Sequence, residues 1–220
     1  MKRSLKEWGI RIVILLIGLT IAHLGVTLFL LADLGSDPFN VLIQGIFRTL
    51  SGAAGFSALT HGRVHIAISF LIILILLIAD RSYIKIGTAL CMIFGGPIID
   101  FFTMVLSPVL KNDMALPGKI VMLALGCVIL AYGMTIVIRS DAGTGPNDLV
   151  AIVISDKLKQ KFSIVRIVVD VCFVAAGWLL GGRFGIGTII CAVLVGPVAG
   201  FFLPVNGRLV EEILKRFLQS

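Results

Sequence analysis

Charged residues are scarce in this sequence: 14% of its 220 residues are Asp, Glu, Lys or Arg, while 58% are apolar. Soluble domains average roughly 25% charged and 45–50% apolar residues. The deficit, with a strongly positive mean hydropathy, excludes a water-exposed globular domain and puts the chain in lipid. Residues suited to metal or redox chemistry are few. Cys91, Cys127, Cys172 and Cys191 all fall inside apolar stretches without C-x-x-C spacing, which argues against a disulfide framework or a zinc site and leaves inert core thiols. The three histidines are dispersed, and no H-E-x-x-H, G-x-S-x-G or P-loop pattern occurs. The expectation is a chain with no cofactor, no metal and no enzymatic activity.

What the sequence does contain is long apolar runs. Ile12–Ala32, Ile86–Leu110, Ile120–Ile138 and Phe184–Val205 meet the requirement of about 20 residues for a membrane-spanning helix. Val64–Ala79 and Ile167–Gly182 reach the lower limit of about 17 with a few flanking residues. Six spans are predicted. The basic opening, Met1–Arg11, precedes an apolar run of about 21 residues without a small-x-small cleavage site; it reads as a retained anchor rather than a signal peptide. The net charge of +7 is explained by cytoplasmic loops collecting Lys and Arg, not by nucleic acid. Basic groups precede the first span, cluster at Lys157, Lys159, Lys161 and Arg166, and follow the last span, so both termini are expected in the cytoplasm.

The chain also repeats itself. At an offset of 108, Arg11–Leu42 aligns with Lys119–Val150 without a gap, with ten identities in 32 positions. The pairs include Gly25 with Gly133, Asp33 with Asp141, Gly35 with Gly143 and Pro38 with Pro146, matches that hydrophobicity alone does not produce. At an offset of 100, the 17 residues from Ile86 align with those from Ile186 with eight identities. Residues 1–112 and 113–205 are therefore two homologous repeats of one membrane domain. Residues 206–220 form an amphipathic cytoplasmic tail, with Leu209, Ile213 and Phe217 on its apolar face. The change of offset assigns eight extra residues to the first half, in the Gly-, Ala- and Ser-rich stretch Ser51–Gly62.

Each half contains a Gly-Pro break followed by a short helix. Pro38–Leu50 has 13 residues, about 20 Å long, against a hydrocarbon core of about 30 Å. Its second copy meets Ser155, Asp156 and Lys157 after nine apolar-leaning residues, so the short helix is not expected to span. That leaves three spans per half, which makes the halves inverted, as in many secondary transporters. With three spans per half, 14 of the 19 Lys and Arg lie on the cytoplasmic side; four spans per half would give 15. The charges set the termini in the cytoplasm, and helix length selects the three-span reading. The expected fold is an all-α membrane protein of six transmembrane helices in two inverted three-span repeats, each with a non-spanning half-helix.

Pro38 and Pro146 suit the first turn of a helix. The free N–H groups there attract anions or neighbouring carboxylates; the alternative is that Asp37, Ser36 or Thr144 simply caps its own helix. Around these starts the candidate solute-binding residues are Ser36, Asp37, Asn40, Gln44, Thr144, Asn147 and Asp148. Arg166 and Asp170, four apart, can pair on one helical face and join the set. A charge inside a bilayer costs at least about 2.5–3.5 kcal/mol, so His65 and Asp100 are candidate pathway residues. Asp100 stands opposite Gly200 in the repeat and belongs to one half only. His23 is read as a helix-packing residue.

Gly35-Ser36-Asp37-Pro38, Gly143-Thr144-Gly145-Pro146-Asn147-Asp148, Val165-Arg166 leading to Asp170, Gly177-Trp178-Leu179-Leu180-Gly181-Gly182 and the stretch ending at Pro197 together resemble the YczE/YitT-type bacterial multi-pass membrane proteins, in their YczE-like branch. The resemblance covers nearly the whole chain and implies a bacterial inner-membrane protein, but no particular substrate. Two functions compete: a secondary permease moving a small polar or charged solute through a midplane site, or a non-enzymatic accessory protein acting through a partner membrane protein or a homo-oligomer. The bilayer is the common partner of both.

Overall fold

The computed structural model describes residues 4–54, 61–110 and 114–219. Among them all regular structure is helical: α1 Leu5–Ala32, α2 Pro38–Ala54, α3 His61–Ala79, α4 Ile86–Leu106, α5 Leu116–Ser140, α6 Pro146–Leu158, α7 Phe162–Leu179 and α8 Ile186–Gln219, with one 3-10 turn at Arg81–Tyr83. Five of these helices (α1, α4, α5, α7 and α8) are long and apolar enough to cross a bilayer, and Arg63–Ala79 of α3 is a shorter apolar stretch.

α1 and α5 pack antiparallel at the centre. Arg11, near the start of α1, donates to the Ser140 carbonyl at the end of α5 at 2.8 Å. Further along, Gly25 faces Gly126 and Leu130. Glycine is what lets the two backbones meet: a Cβ on Gly25 would lie 2.3 Å from the Leu130 amide nitrogen, and one on Gly133 2.2 Å from that of Ala22. α8 packs on α5, closing a core that includes Phe29, Leu123, Cys127 and Val195. Cys172, unlike the other three thiols, is exposed.

The two Gly-Pro breaks share a backbone conformation. Asp33 and Asp141 end α1 and α5 in the left-handed region, at φ 52° and 55°, and Gly35 and Gly143 follow at φ 140° and 135°, a region that favours glycine. Each break docks the last helix of the opposite half. The Gly87 amide donates to the Ala142 carbonyl at 2.8 Å, and the Gly187 amide to the Leu34 carbonyl at 2.9 Å. The repeated Ile-Gly-Thr at the start of α4 and α8 thus serves a crosswise junction. Around Asp141, Lys85 forms an ion pair and Arg11 approaches at 3.9 Å.

Three boundaries differ from the sequence expectation. The first short helix continues four residues past Leu50, to Ala54, and has 17 residues. α6 keeps its 13 residues, running through Ser155 and Asp156; Lys159 then turns left-handed and the Gln160 amide closes on the Ser155 carbonyl at 3.1 Å, a common helix stop. The loop expected at Ser51–Gly62 is helical at both ends, and residues 55–60 lie outside the described residues. The tail does not start a new helix at Asn206. α8 is continuous from Ile186, with Pro197 and Pro204 inside it, and buried Asn206 donates to Thr135 Oγ1 at 2.7 Å. The tail's buried face is Val210 and Leu214 against Ile14 and Ile136, whereas Leu209 and Phe217 are exposed; the apolar stripe is rotated from the expected one because it packs on α1 and α5.

Candidate functional site

The starts of both short helices open onto one cavity of about 420 Å³. Asp37 and Asn40 come from α2, His65 from α3, Asn147 and Asp148 from α6, and Arg166 from α7. Apolar groups of α1, α4 and α5 complete the wall. A second groove of about 330 Å³ lies along one face of α1 and carries no ionisable group.

The two helix starts are held differently. Asp37 accepts the Asn40 amide N–H at 3.2 Å on Oδ1 and the Asn40 side-chain amide at 2.5 Å on Oδ2, so it caps its own helix. Gly145 precedes α6 in an extended conformation and supplies no side-chain cap. Asp148 instead sits in the first turn of α6, where the positive end of the helix dipole favours a carboxylate, and turns to α7. There Arg166 Nη1 donates to Asp148 Oδ1 at 2.5 Å and Arg166 Nε to Asp170 Oδ2 at 2.9 Å.

This trio binds α6 to α7. Arg166 is 7% exposed and Asp170 1%, and Asp170 Oδ1 has no hydrogen-bond partner among the described residues. A buried ion loses several kcal/mol of hydration, which only close pairing returns. One guanidinium here serves two carboxylates, Asp148 on the cavity wall and Asp170 behind it, and Asp37 lines the same cavity. The site therefore carries an excess of acidic groups.

Ser36, Gln44, Asp100, Thr144 and Asp170 lie off the cavity wall. The Ser36 carbonyl accepts the Thr188 hydroxyl at 2.5 Å, Thr144 is buried with no partner for its hydroxyl among the described residues, and Gln44 accepts the Arg183 amide at 2.6 Å. Arg48 donates to the Gly181 carbonyl at 2.8 Å, so Gln44 and Arg48 face the α7–α8 loop. Asp170 touches the cavity only through Arg166. Asp100 is exposed on α4. His65 meets Phe39 edge-on at 5.4 Å. His23, read from sequence as a packing residue, does line the cavity, with Nδ1 2.8 Å from the Leu19 carbonyl and Nε2 beside Gly95. Its one sequence signal is being a histidine in the middle of a span. Among the described residues no group of three or more His, Cys, Asp or Glu is arranged to hold a metal.

Residues 9–204 match DUF6198, a family of unknown function. The uncharacterized membrane protein YczE of Bacillus subtilis strain 168 is 31% identical over 200 residues, covering 90% of this chain and 88% of its own length. An uncharacterized protein of Haemophilus influenzae is 28% identical over 89% of this chain and 84% of its own. The uncharacterized protein YyaS of B. subtilis is 26% identical, with 87% and 92% covered. No solved structure matches. The family match takes in both helix starts, the Arg166 trio and the spans around them, and the YczE similarity covers 90% of the chain: this chain, a multi-pass helical membrane protein, belongs to the DUF6198 family.

Proposed function

We propose that the chain is a secondary transporter of the bacterial inner membrane, moving a small polar or charged solute by alternating access of two inverted repeats, with both termini in the cytoplasm. The observation that carries this reading is the convergence of the α2 and α6 starts and of Arg166 on one cavity inside an otherwise apolar body. Half-helix starts meeting at a repeat interface are how several transporter folds bind solute. Three further features agree. The aligned helices α1 and α5 run antiparallel, as inverted repeats require. α6, with 13 residues, reaches about 20 Å, short of a hydrocarbon core of about 30 Å, and α2, its repeat mate, follows the same Gly-Pro break. The remaining six helices are then the spans.

With three carboxylates to one guanidinium, the site favours a solute or coupling ion that brings positive charge. Within the Arg166 trio Asp148, at 18% side-chain exposure, is the accessible carboxylate, and Arg166 transmits its occupancy to Asp170. The test is flux in proteoliposomes over a panel of cationic, zwitterionic and anionic metabolites. Wild-type protein moves at least one cationic or proton-coupled solute, and Asp148→Asn and Asp170→Asn abolish that flux while the protein stays folded and monodisperse. Normal flux in both variants rejects this site. If no solute moves and a second membrane protein co-purifies stoichiometrically, the accessory reading replaces transport.

A further inference from the structure

The α3–α4 and α7–α8 hairpins are the same piece of the repeat in two arrangements. Both turn over residues 80–85 and 180–185, and both last helices begin with Ile-Gly-Thr, 100 positions apart. In the second half α7 lies along α8. A Cβ on Gly196 would stand 2.6 Å from the Ser163 carbonyl oxygen and 2.9 Å from Ile167 Cγ1, and one on Gly200 2.9 Å from Ser163 Cβ. In the first half this seam is open. A Cβ on Gly96 would meet nothing within 4 Å, and Ile66 is 63% exposed. Ile66 and Gly96 both line the cavity, so the gap between α3 and α4 is its open flank.

We propose that α3 is a gate that closes onto α4 as α7 lies along α8, at the wider spacing that Asp100 requires where the second half has Gly200, and that Arg63 and Asp100 form the ion pair that holds it shut. The offset of 100 puts Ile66 and Ala67 at the positions of Arg166 and Ile167, facing Gly96 as those face Gly196. The same offset puts Arg63 at the position of Ser163 and Asp100 at that of Gly200, two residues in direct contact. The depths agree. Arg63 lies 16 residues before the end of α3 and Asp100 14 residues after the start of α4, about 24 and 21 Å from their shared loop. The pair also explains Asp100. An exposed carboxylate two-thirds of the way along an apolar helix, without an ion pair among the described residues, is costly in a bilayer; a guanidinium arriving at its level removes that cost. The gate has its purpose only under the transport reading: closing the α3–α4 seam shuts one flank, and opening the α7–α8 seam uncovers the other and carries Arg166 with it.

The test needs no solute. Full-length chain carrying Ala67→Cys and Gly96→Cys is oxidised with copper phenanthroline in membrane vesicles, and disulfide-linked peptides are mapped by mass spectrometry, which separates them from those of Cys91, Cys127, Cys172 and Cys191. Thr135→Cys with Asn206→Cys, whose side chains meet between α5 and α8 at 2.7 Å, is the reference for a closed helix seam. The two thiols introduced at positions 67 and 96 are expected to link, the rate falling about tenfold with Asp100→Asn and recovering when Arg63→Asp is combined with Asp100→Arg. The gate is overturned if positions 67 and 96 stay unlinked while 135 and 206 link fully; the latch is overturned if Asp100→Asn leaves the rate unchanged. A chain that links but moves no solute keeps the gate and loses the transport reading. One that transports without linking does the reverse.

Discussion

The two short helices begin with the same backbone and different electrostatics. α2 is capped from within, Asp37 closing on Asn40. α6 has no side-chain cap, and its first-turn carboxylate, Asp148, reaches out to Arg166 and through it to Asp170. The repeat has kept the bend, the left-handed aspartates and the glycines but has moved the buried charge into the second half. Geometry is thus shared between the halves, while binding chemistry is concentrated at the α6–α7 side.

The sharpest way to break this comparison is to remove the charge that only one half carries. Arg166→Ala leaves Asp170 buried without its guanidinium, and breaking a buried pair in this way costs about 3–5 kcal/mol. A large drop in the thermal midpoint in detergent is expected, partly recovered by adding Asp170→Asn. Ile66→Ala, at the matching position of α3, is expected to leave the midpoint nearly unchanged because that side chain is mostly exposed. Next in size is a test at the glycines. Gly25→Ala drives a methyl into the α5 backbone and is expected to cost about 1–3 kcal/mol as overpacking, whereas Gly96→Ala enters open space and leaves thermal stability unaltered. The smallest effect concerns the caps. Asp37→Ala should cost about 1 kcal/mol, and Gly145→Ser should add a few tenths, both read as shifts of the same midpoint. Equal responses at the two starts would mean that the halves are electrostatically alike after all.

Much of this arrangement is legible in the sequence. Glycine, proline and aspartate recurring at fixed offsets locate both breaks, because those residues answer to backbone geometry rather than to hydrophobicity. Arg166 and Asp170 are paired by helical spacing alone. Partner choice between helices is not legible. Gln44 and Arg48 share a face with Asn40, yet they bond to the α7–α8 loop, since a four-residue period says which residues share a face and not what lies opposite. The same limit hides His23, which the crossing of α1 and α4 brings to the cavity. The tail's apolar face escapes a sequence reading because Val210 and Leu214 find α1 and α5 beneath them, a long-range contact without a local signal.

The crosswise docking of α4 and α8 has a consequence for biogenesis. The Leu34 carbonyl leaves the ribosome well before the amide that pairs with it, which belongs to Gly187 of α8. A backbone group left unpaired in a bilayer is costly, so the first half is expected to stay unfinished until α8 pairs with it. A chain cut off before α8 is therefore expected to be more open to quality-control proteases than the full-length one.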